Sequence, residues 1–217
     1  MTTYTAYNGS TETNSIYAAD DKVFYVYKGS QLVWRLHQYS SNQVLFESST
    51  PNTYTLEILD DGVYNVICVG GGGGGASSRS DDTGTGAGGG SGGYSNETIY
   101  LTKGTYSVIV GQGGAQATSW RSAYAYGGTG GDSSFGGVVG GGGGGGTAYR
   151  NGWVSIGGAG GTGSTTTGNT GYGESTTYTP SVYEGYGRGG WGYGSTSTNA
   201  RNGESGYVKI TYIRDSL

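Results

Sequence analysis

His37 is the chain's only histidine and Cys68 its only cysteine. One thiol excludes an internal disulfide, and one of each removes the usual zinc ligand sets. His37 follows a strand-like run with no Ser/Asp constellation in view, so it reads as a solvated or packed side chain. Cys68 sits inside a strand-like run and reads as a small core hydrophobe. Strings of the form G-x-G-x-x-G recur between Gly70 and Gly206. No helical pattern follows them and no Lys-Ser/Thr pair closes a phosphate loop, so they carry no nucleotide signal. The acidic pairs Asp20-Asp21, Asp60-Asp61 and Asp81-Asp82 have the oxygen donors calcium takes, with turn or solvated acids as the plainer reading. Thr165-Thr166-Thr167 has the residue type of an ice-binding face without its flat, regular array. No two carboxylates can be placed in one cleft. The expectation is a protein that is not an enzyme and that holds no cofactor and no metal.

Binding chemistry is better represented. Residues 115–126 and 147–156 combine Tyr, Trp, Arg, Ser and Asn. These are rigid amphipathic anchors beside adaptable hydrogen-bonders, the composition of a paratope. The candidate recognition residues are Arg79, Trp120, Arg121, Tyr124, Tyr126, Tyr149, Arg150, Asn151, Trp153, Asn199 and Arg201. Trp120 and Trp153 are the expected anchors, and Trp191, inside a glycine block, is expected to pack instead. A second reading stays open for the tyrosines, of which there are 21: they cover the outside of a glycine core and supply the apolar burial that glycine lacks.

The elements that would position these loops follow from composition. Of 217 residues 50 are glycine, and only Gly9, Gly29 and Gly62 precede Gly70. Between Gly70 and Gly206 about one residue in three is glycine, against an average usage near 7%. Two prolines exclude collagen, which needs Pro in abundance and a strict G-X-Y repeat. A net charge of −4 with no basic patch gives no electrostatic footprint for nucleic acid. No run of about eighteen apolar residues exists to span a membrane. The first residues lack the basic and apolar regions of a secretory signal, so synthesis in a cytoplasm without signal-directed export is expected.

Residues 1–69 read as β-structure. Lys22–Lys28 and Gln31–Leu36 flank the two-residue turn Gly29-Ser30. A polar stretch, Gln38–Pro51, follows. Tyr54, Leu56 and Ile58 alternate, and Val63–Val69 follows the turn Asp60-Asp61-Gly62. Further strands are expected at Glu97–Thr102, Thr105–Val110 and Tyr207–Ile213, and no segment carries a helical apolar stripe. Between the strands lie glycine blocks at 70–75, 84–93, 111–114, 127–131, 136–146, 157–163 and 185–194. Several repeat glycine every third residue, the period of a polyproline II helix. Such a helix has no internal hydrogen bonds, so it needs a bundle in which neighbours exchange them. Gly72, Gly143, Gly144 and Gly160 are expected to be structural, and the run Gly140–Gly146 implies a helix enclosed on all sides. With Val63–Val69 taken as rising, alternation of direction sends loops 76–83, 115–126, 147–156 and 195–205 to one apical end, with 164–184 at the opposite end. The expected fold is all-β: an antiparallel framework carrying polyglycine II helices, essentially without α-helix. The expected division is a small N-terminal attachment segment, 1–50, and a glycine-rich domain, 51–217.

The order strand, VGGGGGG, GGYSNETIYLTKGTYSVIVGQGG, GGTGGDSSFGG, a long glycine run and a terminal GYVKITY strand resembles the glycine-rich domain of phage tail-fibre and adhesin proteins. It is also similar in style to the glycine-rich module of anaplastic lymphoma kinase receptors. The resemblance covers roughly residues 22–213. It implies a phage tail-fibre or tail-tip adhesin that binds a host surface receptor, glycan or protein, through its apical loops. It further implies residence in the virion tail and docking of residues 1–50 to fibre or baseplate proteins. A homotrimer is compatible with tail fibres in general. The alternative from another class is a structural virion component, a fibre cap or decoration protein with no host ligand.

Overall fold

The fold is described from a computed structural model, which describes residues 2–8, 11–19, 22–28, 31–35, 39–79, 84–120, 124–149, 155–172, 179–192 and 200–214. The chain divides into two compact units, residues 1–40 and 41–217. The first is a four-stranded antiparallel meander of β1 (Thr2–Asn8), β2 (Thr11–Ala19), β3 (Lys22–Lys28) and β4 (Gln31–Arg35). The hairpin expected at Gly29-Ser30 joins β3 to β4, pairing Lys28 with Gln31.

The second unit holds β5 (Val44–Ser48), β6 (Asn52–Ile58), β7 (Gly62–Val69), β8 (Ala76–Arg79), β9 (Gly84–Ala87), β10 (Tyr94–Leu101), β11 (Gly104–Val110), β12 (Ala117–Trp120), β13 (Tyr124–Tyr126), β14 (Ser133–Phe135), β15 (Val138–Gly140), β16 (Thr147–Tyr149), β17 (Ser155–Ile156) and β18 (Tyr207–Arg214). Among the described residues there is no helix of the α type, so the fold is all-β. Two antiparallel sheets, in the orders β10-β7-β18-β5 and β15-β14-β11-β6, pack face to face. Strand β7 shows why: Tyr64, Val66 and Cys68 are fully buried, while the residues between them are half-buried. This is the two-residue period of a strand with one face on a core. Ile58, Val108, Phe135, Val138, Val208 and Ile210 complete that core. The β14–β15 turn needs glycine, because Gly136 and Gly137 sit at φ 58° and 91°, the left-handed pair that two-residue hairpins favour.

The strands and segments depart from the sequence reading in three places. Strand β5 lies in the stretch read as polar connection, and it pairs with β18. The blocks read as glycine helix from residues 84 and 136 begin instead as β9 and β15. The segment 164–184, read as one loop at the lower end, contains a further ascending piece, 168–172. It runs antiparallel to 88–93 through Ser91 N–H to Asn169 O and Gly88 N–H to Tyr172 O.

Above the two sheets the glycine blocks form a lattice centred on Gly70–Gly75. The six N–H groups of this block donate in turn to the carbonyls of Gly93, Gly131, Glu204, Gly90, Gly128 and Arg201, at 2.8–3.0 Å. Each neighbour recurs every third residue. The carbonyls of Gly71 to Gly75 accept from Gly143, Gly114, Gly190, Gly146 and Ala117. Blocks 88–93, 127–131 and 201–206 therefore run antiparallel to the centre, and blocks 111–117, 141–146 and 187–192 run parallel to it. Adjacent members of this ring are bonded to each other as well, as in Gly93 N–H to Gly141 O and Gly203 N–H to Gly114 O. This is the polyglycine II arrangement: three residues per turn, every bond lateral, and backbones so close that a Cβ has no place.

The run Gly140–Gly146 is not enclosed on all sides. Its neighbours are 70–75, 88–93, 127–131 and 157–163, and Gly142, Gly144 and Gly145 are half-exposed. The enclosed helix is Gly70–Gly75, buried throughout. Amide exchange checks this. The Gly70–Gly75 amides are expected to exchange only through global unfolding. Gly145, whose N–H has no partner among the described residues, is expected to exchange fast. Uniformly fast exchange in both would contradict the lattice.

Burial pushes the Cys68 thiol up to about 12, opposed by a hydrogen bond from the Phe135 backbone and assisted by the charge of Glu97. Burial, together with Glu47, likewise raises Tyr207. Both groups bind protons more tightly folded than unfolded, so their contribution is intact below the unfolded thiol value of 9.0 and is lost as pH rises toward the folded one. Stability is expected to fall above pH 9, by up to about 1.4 kcal/mol per unit from the thiol. Urea unfolding from pH 8 to 10.5 tests it: Cys68→Ala should show the shallower decline.

Candidate functional site

The lattice hands its chains on to two small sheets at the end where Gly70–Gly75 finishes. Block 70–75 continues into β8, 111–116 into β12 and 141–146 into β16, while β9, β13 and β17 lead back down. The sheets are β12-β8-β9, with β12 parallel to β8, and β13-β16-β17, which is antiparallel. They face each other across Ala76, Ala125 and Ala148, all buried, with Ala117 packed alongside. Alanine suits the place, because helices this close deliver strands too near for larger side chains. Thr85, buried, ties the sheets together by donating to the Tyr149 carbonyl.

The outer face of β13-β16-β17 carries the aromatic groups. Along β13, Tyr124 is 50% exposed, Ala125 4% and Tyr126 63%, the alternation of a strand with one face in solvent. In register, Tyr124 lies opposite Tyr149, Tyr126 opposite Thr147, and Thr147 opposite Ile156, itself 51% exposed. The Tyr124 and Tyr149 rings meet edge to face at 5.1 Å, while Tyr124 and Tyr126 are near-parallel at 6.0 Å. On the far side of the lattice, the Arg201 guanidinium lies 5.7 Å over the half-buried Trp191 ring.

These positions sort the expected recognition residues. Tyr124, Tyr126 and Tyr149 share one face of one sheet. Arg201 is at the same end with Trp191, the tryptophan expected only to pack. Trp120 and Arg79 end β12 and β8 opposite each other in register, and only their backbone is described. Arg121, Arg150, Asn151, Trp153 and Asn199 lie outside the described residues, as do Asp20, Asp21, His37, Asp81 and Asp82. Among the described residues no three His, Cys, Asp or Glu side chains gather as a metal site. Sequence reading missed Ile156 and also Tyr172, which is 52% exposed beside Gly88. Its signal was present in Gly168-Asn-Thr-Gly171, one more three-residue glycine step.

Of the structural glycines, a Cβ on Gly72 would fall within 3.0 Å of the Arg188 and Gly187 carbonyls, and one on Gly143 within 3.0 Å of those of Gly90 and Ser91. At Gly160 it would strike the Gly168 carbonyl. Gly144 differs, its nearest atoms being Ala159 N at 3.0 Å and Ala159 O at 3.3 Å.

The opposite end of the lattice uses tyrosine otherwise. Tyr94 and Tyr207 both lie opposite Val69 where β7 enters the lattice. Tyr183 stacks on Tyr94 at 4.8 Å, and Tyr186 on Tyr207 at 4.3 Å. The Tyr207 hydroxyl donates to Glu47 Oε1 at 2.7 Å. Here the covering role holds, and the exposed pair on β13 stands apart from it.

No curated protein matches the chain. The family described as glycine-rich domain matches residues 48–213, from the last residue of β5 into the final strand, so that the match takes in all the remaining strands of the two framework sheets and the lattice above them. The chain belongs to the glycine-rich domain family.

Proposed function

We propose that the protein is a receptor-binding module of a phage tail fibre or tail tip, presenting the β13-β16-β17 face and its adjoining connections to a host surface. The observation that carries this reading is the exposure of Tyr124 and Tyr126 on strands fixed by a hydrogen-bonded lattice. Rigid aromatic side chains on a pre-organised support lose little entropy on binding. The tyrosines that cover the opposite end of the lattice, Tyr94, Tyr183, Tyr186 and Tyr207, are buried or half-buried instead. The phage setting rests on the order of strands and glycine runs from VGGGGGG to GYVKITY. In that setting residues 1–40, a separate compact unit, join the module to fibre or baseplate proteins, and a trimer of modules is one assembly.

Fluorescently labelled protein tested on a panel of bacterial strains is expected to stain some and not others. On a stained strain, Tyr124→Ala/Tyr126→Ala is expected to lower binding at least tenfold, the scale of one hot-spot anchor, with melting almost unchanged. Trp191→Ala should lower the melting temperature instead, having lost its packing and its contact with Arg201. Normal staining by the double tyrosine variant would move the receptor contact off this face, and staining of no strain would transfer the reading to a structural cap or decoration protein.

A further inference from the structure

The outer face of β13-β16-β17 is aromatic. Its described strands carry no Asp, Glu, Lys or Arg. Beneath them, the residues leading from β13 and β17 and into β16 are Gly127, Gly128, Thr129, Gly145, Gly146, Gly157, Gly158 and Ala159. The first acid below is Asp132, whose carboxylate accepts from Gly142 N–H at 2.8 Å and is thereby engaged. Beside the rings stand neutral hydrogen-bonding groups: the exposed Thr129 hydroxyl, the half-buried Thr147 hydroxyl and the Gly145 N–H, which has no partner among the described residues.

We infer that this face binds a neutral glycan, a chain of uncharged hexose or N-acetylhexosamine units. The proposal rests on the receptor-binding reading and names its ligand class. A pyranose presents one face of C–H bonds and a rim of hydroxyls. The C–H face is attracted to the negative face of an aromatic ring, and the Tyr126 ring, 63% exposed and stacked on Tyr124 at 6.0 Å, offers such a contact. The hydroxyl rim needs neutral donors and acceptors, which Thr129, Thr147 and the Gly145 amide supply. A stable protein interface buries about 800 Å² per partner, whereas the exposed apolar groups of these three short strands are only Tyr124, Tyr126 and Ile156, with Tyr149 beside them. An anionic polymer would call for cations; the described strands carry none, and Arg121 and Arg150 of the adjoining connections are what acidic oligosaccharides on the array test.

The test uses the full chain on a stained strain and on an array of neutral hexose and N-acetylhexosamine oligosaccharides with acidic ones beside them. Mild periodate, which cleaves vicinal diols, is expected to abolish staining, and protease treatment of the cells to leave it. Array binding is expected to fall at least tenfold in Tyr126→Ala and to be retained in Tyr126→Phe, because the ring and not the hydroxyl makes the contact. Tyr100→Ala, an exposed tyrosine of β10, should change nothing. Staining lost to protease and kept after periodate would overturn the glycan inference while leaving receptor binding intact. Binding only to acidic oligosaccharides would overturn it too. Failure to stain any strain, with no array binding, would remove both readings.

Discussion

Gly72→Ala is expected to abolish folding of the glycine-rich unit. The added methyl group would lie within 3.0 Å of the Arg188 and Gly187 carbonyls, and these are backbone atoms held by their own lateral bonds. Gly187 N–H donates to Ser205 O, and the Arg188 carbonyl accepts from Glu204 N–H. Neither can retreat without breaking a bond that fixes a third chain. Overpacking in adaptable side-chain cores costs about 1–3 kcal/mol. A lattice with no side chains to re-orient should exceed that, and total stability is only about 5–15 kcal/mol. Gly144→Ala is the internal comparison. Its methyl meets Ala159 N at 3.0 Å and O at 3.3 Å, at a half-exposed position where a few tenths of an ångström of movement is available. That variant should fold, with a loss of about 1 kcal/mol or less. Solubility and thermal melting of the two proteins decide it. A soluble Gly72→Ala protein melting within a few degrees of the parent would mean that Gly70–Gly75 is not the centre of the lattice.

The contrast between these two positions shows where the sequence was readable. Chain direction was readable, because each glycine block is separated from the next by turn residues or by a strand, and direction must reverse at each turn. Thus the ends of 76–83, 115–126 and 147–156 lie at one end, as does Arg201. Identity of the central helix was not readable. Gly140–Gly146 is the longer run and Gly70–Gly75 the enclosed one, because glycine is required wherever a Cβ would point at a neighbour. In 141–146 all three Cβ rows do so: Gly143 and Gly146 toward 88–93, Gly142 and Gly145 toward 127–131, Gly141 and Gly144 toward 157–163. A rim helix with neighbours in those directions is as glycine-rich as the centre. Segment 168–172 was hidden for the converse reason. Only Gly168 and Gly171 face neighbours, and Asn169, Thr170 and Tyr172 are exposed. The site was legible as residue type. That Tyr124 and Tyr126 stand exposed together on one face while Tyr94 and Tyr207 are covered depends on strand register, which composition does not carry.

Strand β5 supplies the second large effect. Composition drew the boundary between units near residue 50, whereas contacts draw it between Ser40 and Ser41. Deleting residues 1–40 removes a meander whose strands pair only among themselves in the described residues, and the remaining chain is expected to fold and to melt within a few degrees of the parent. Deleting residues 1–50 removes β5 as well. That strand is the ladder partner of β18 from Val208 to Thr211. Its Phe46 ring packs edge-on against Tyr54 at 5.1 Å. Its Glu47 accepts from the Tyr207 hydroxyl and lies 3.7 Å from the Lys209 ammonium. Phe46 is half-buried, so losing its ring costs less than the roughly 3 kcal/mol of a core aromatic, but the ladder to β18 goes with it, and the Tyr207 hydroxyl loses its acceptor at the seam between sheet and lattice. The exposed ion pair adds little. The ten residues from Ser41 to Thr50 should therefore separate a stable protein from one that is insoluble or melts far lower. Expression and calorimetry of the two truncations measure the difference. Equal melting of both would place β5 outside the unit and restore the boundary near residue 50.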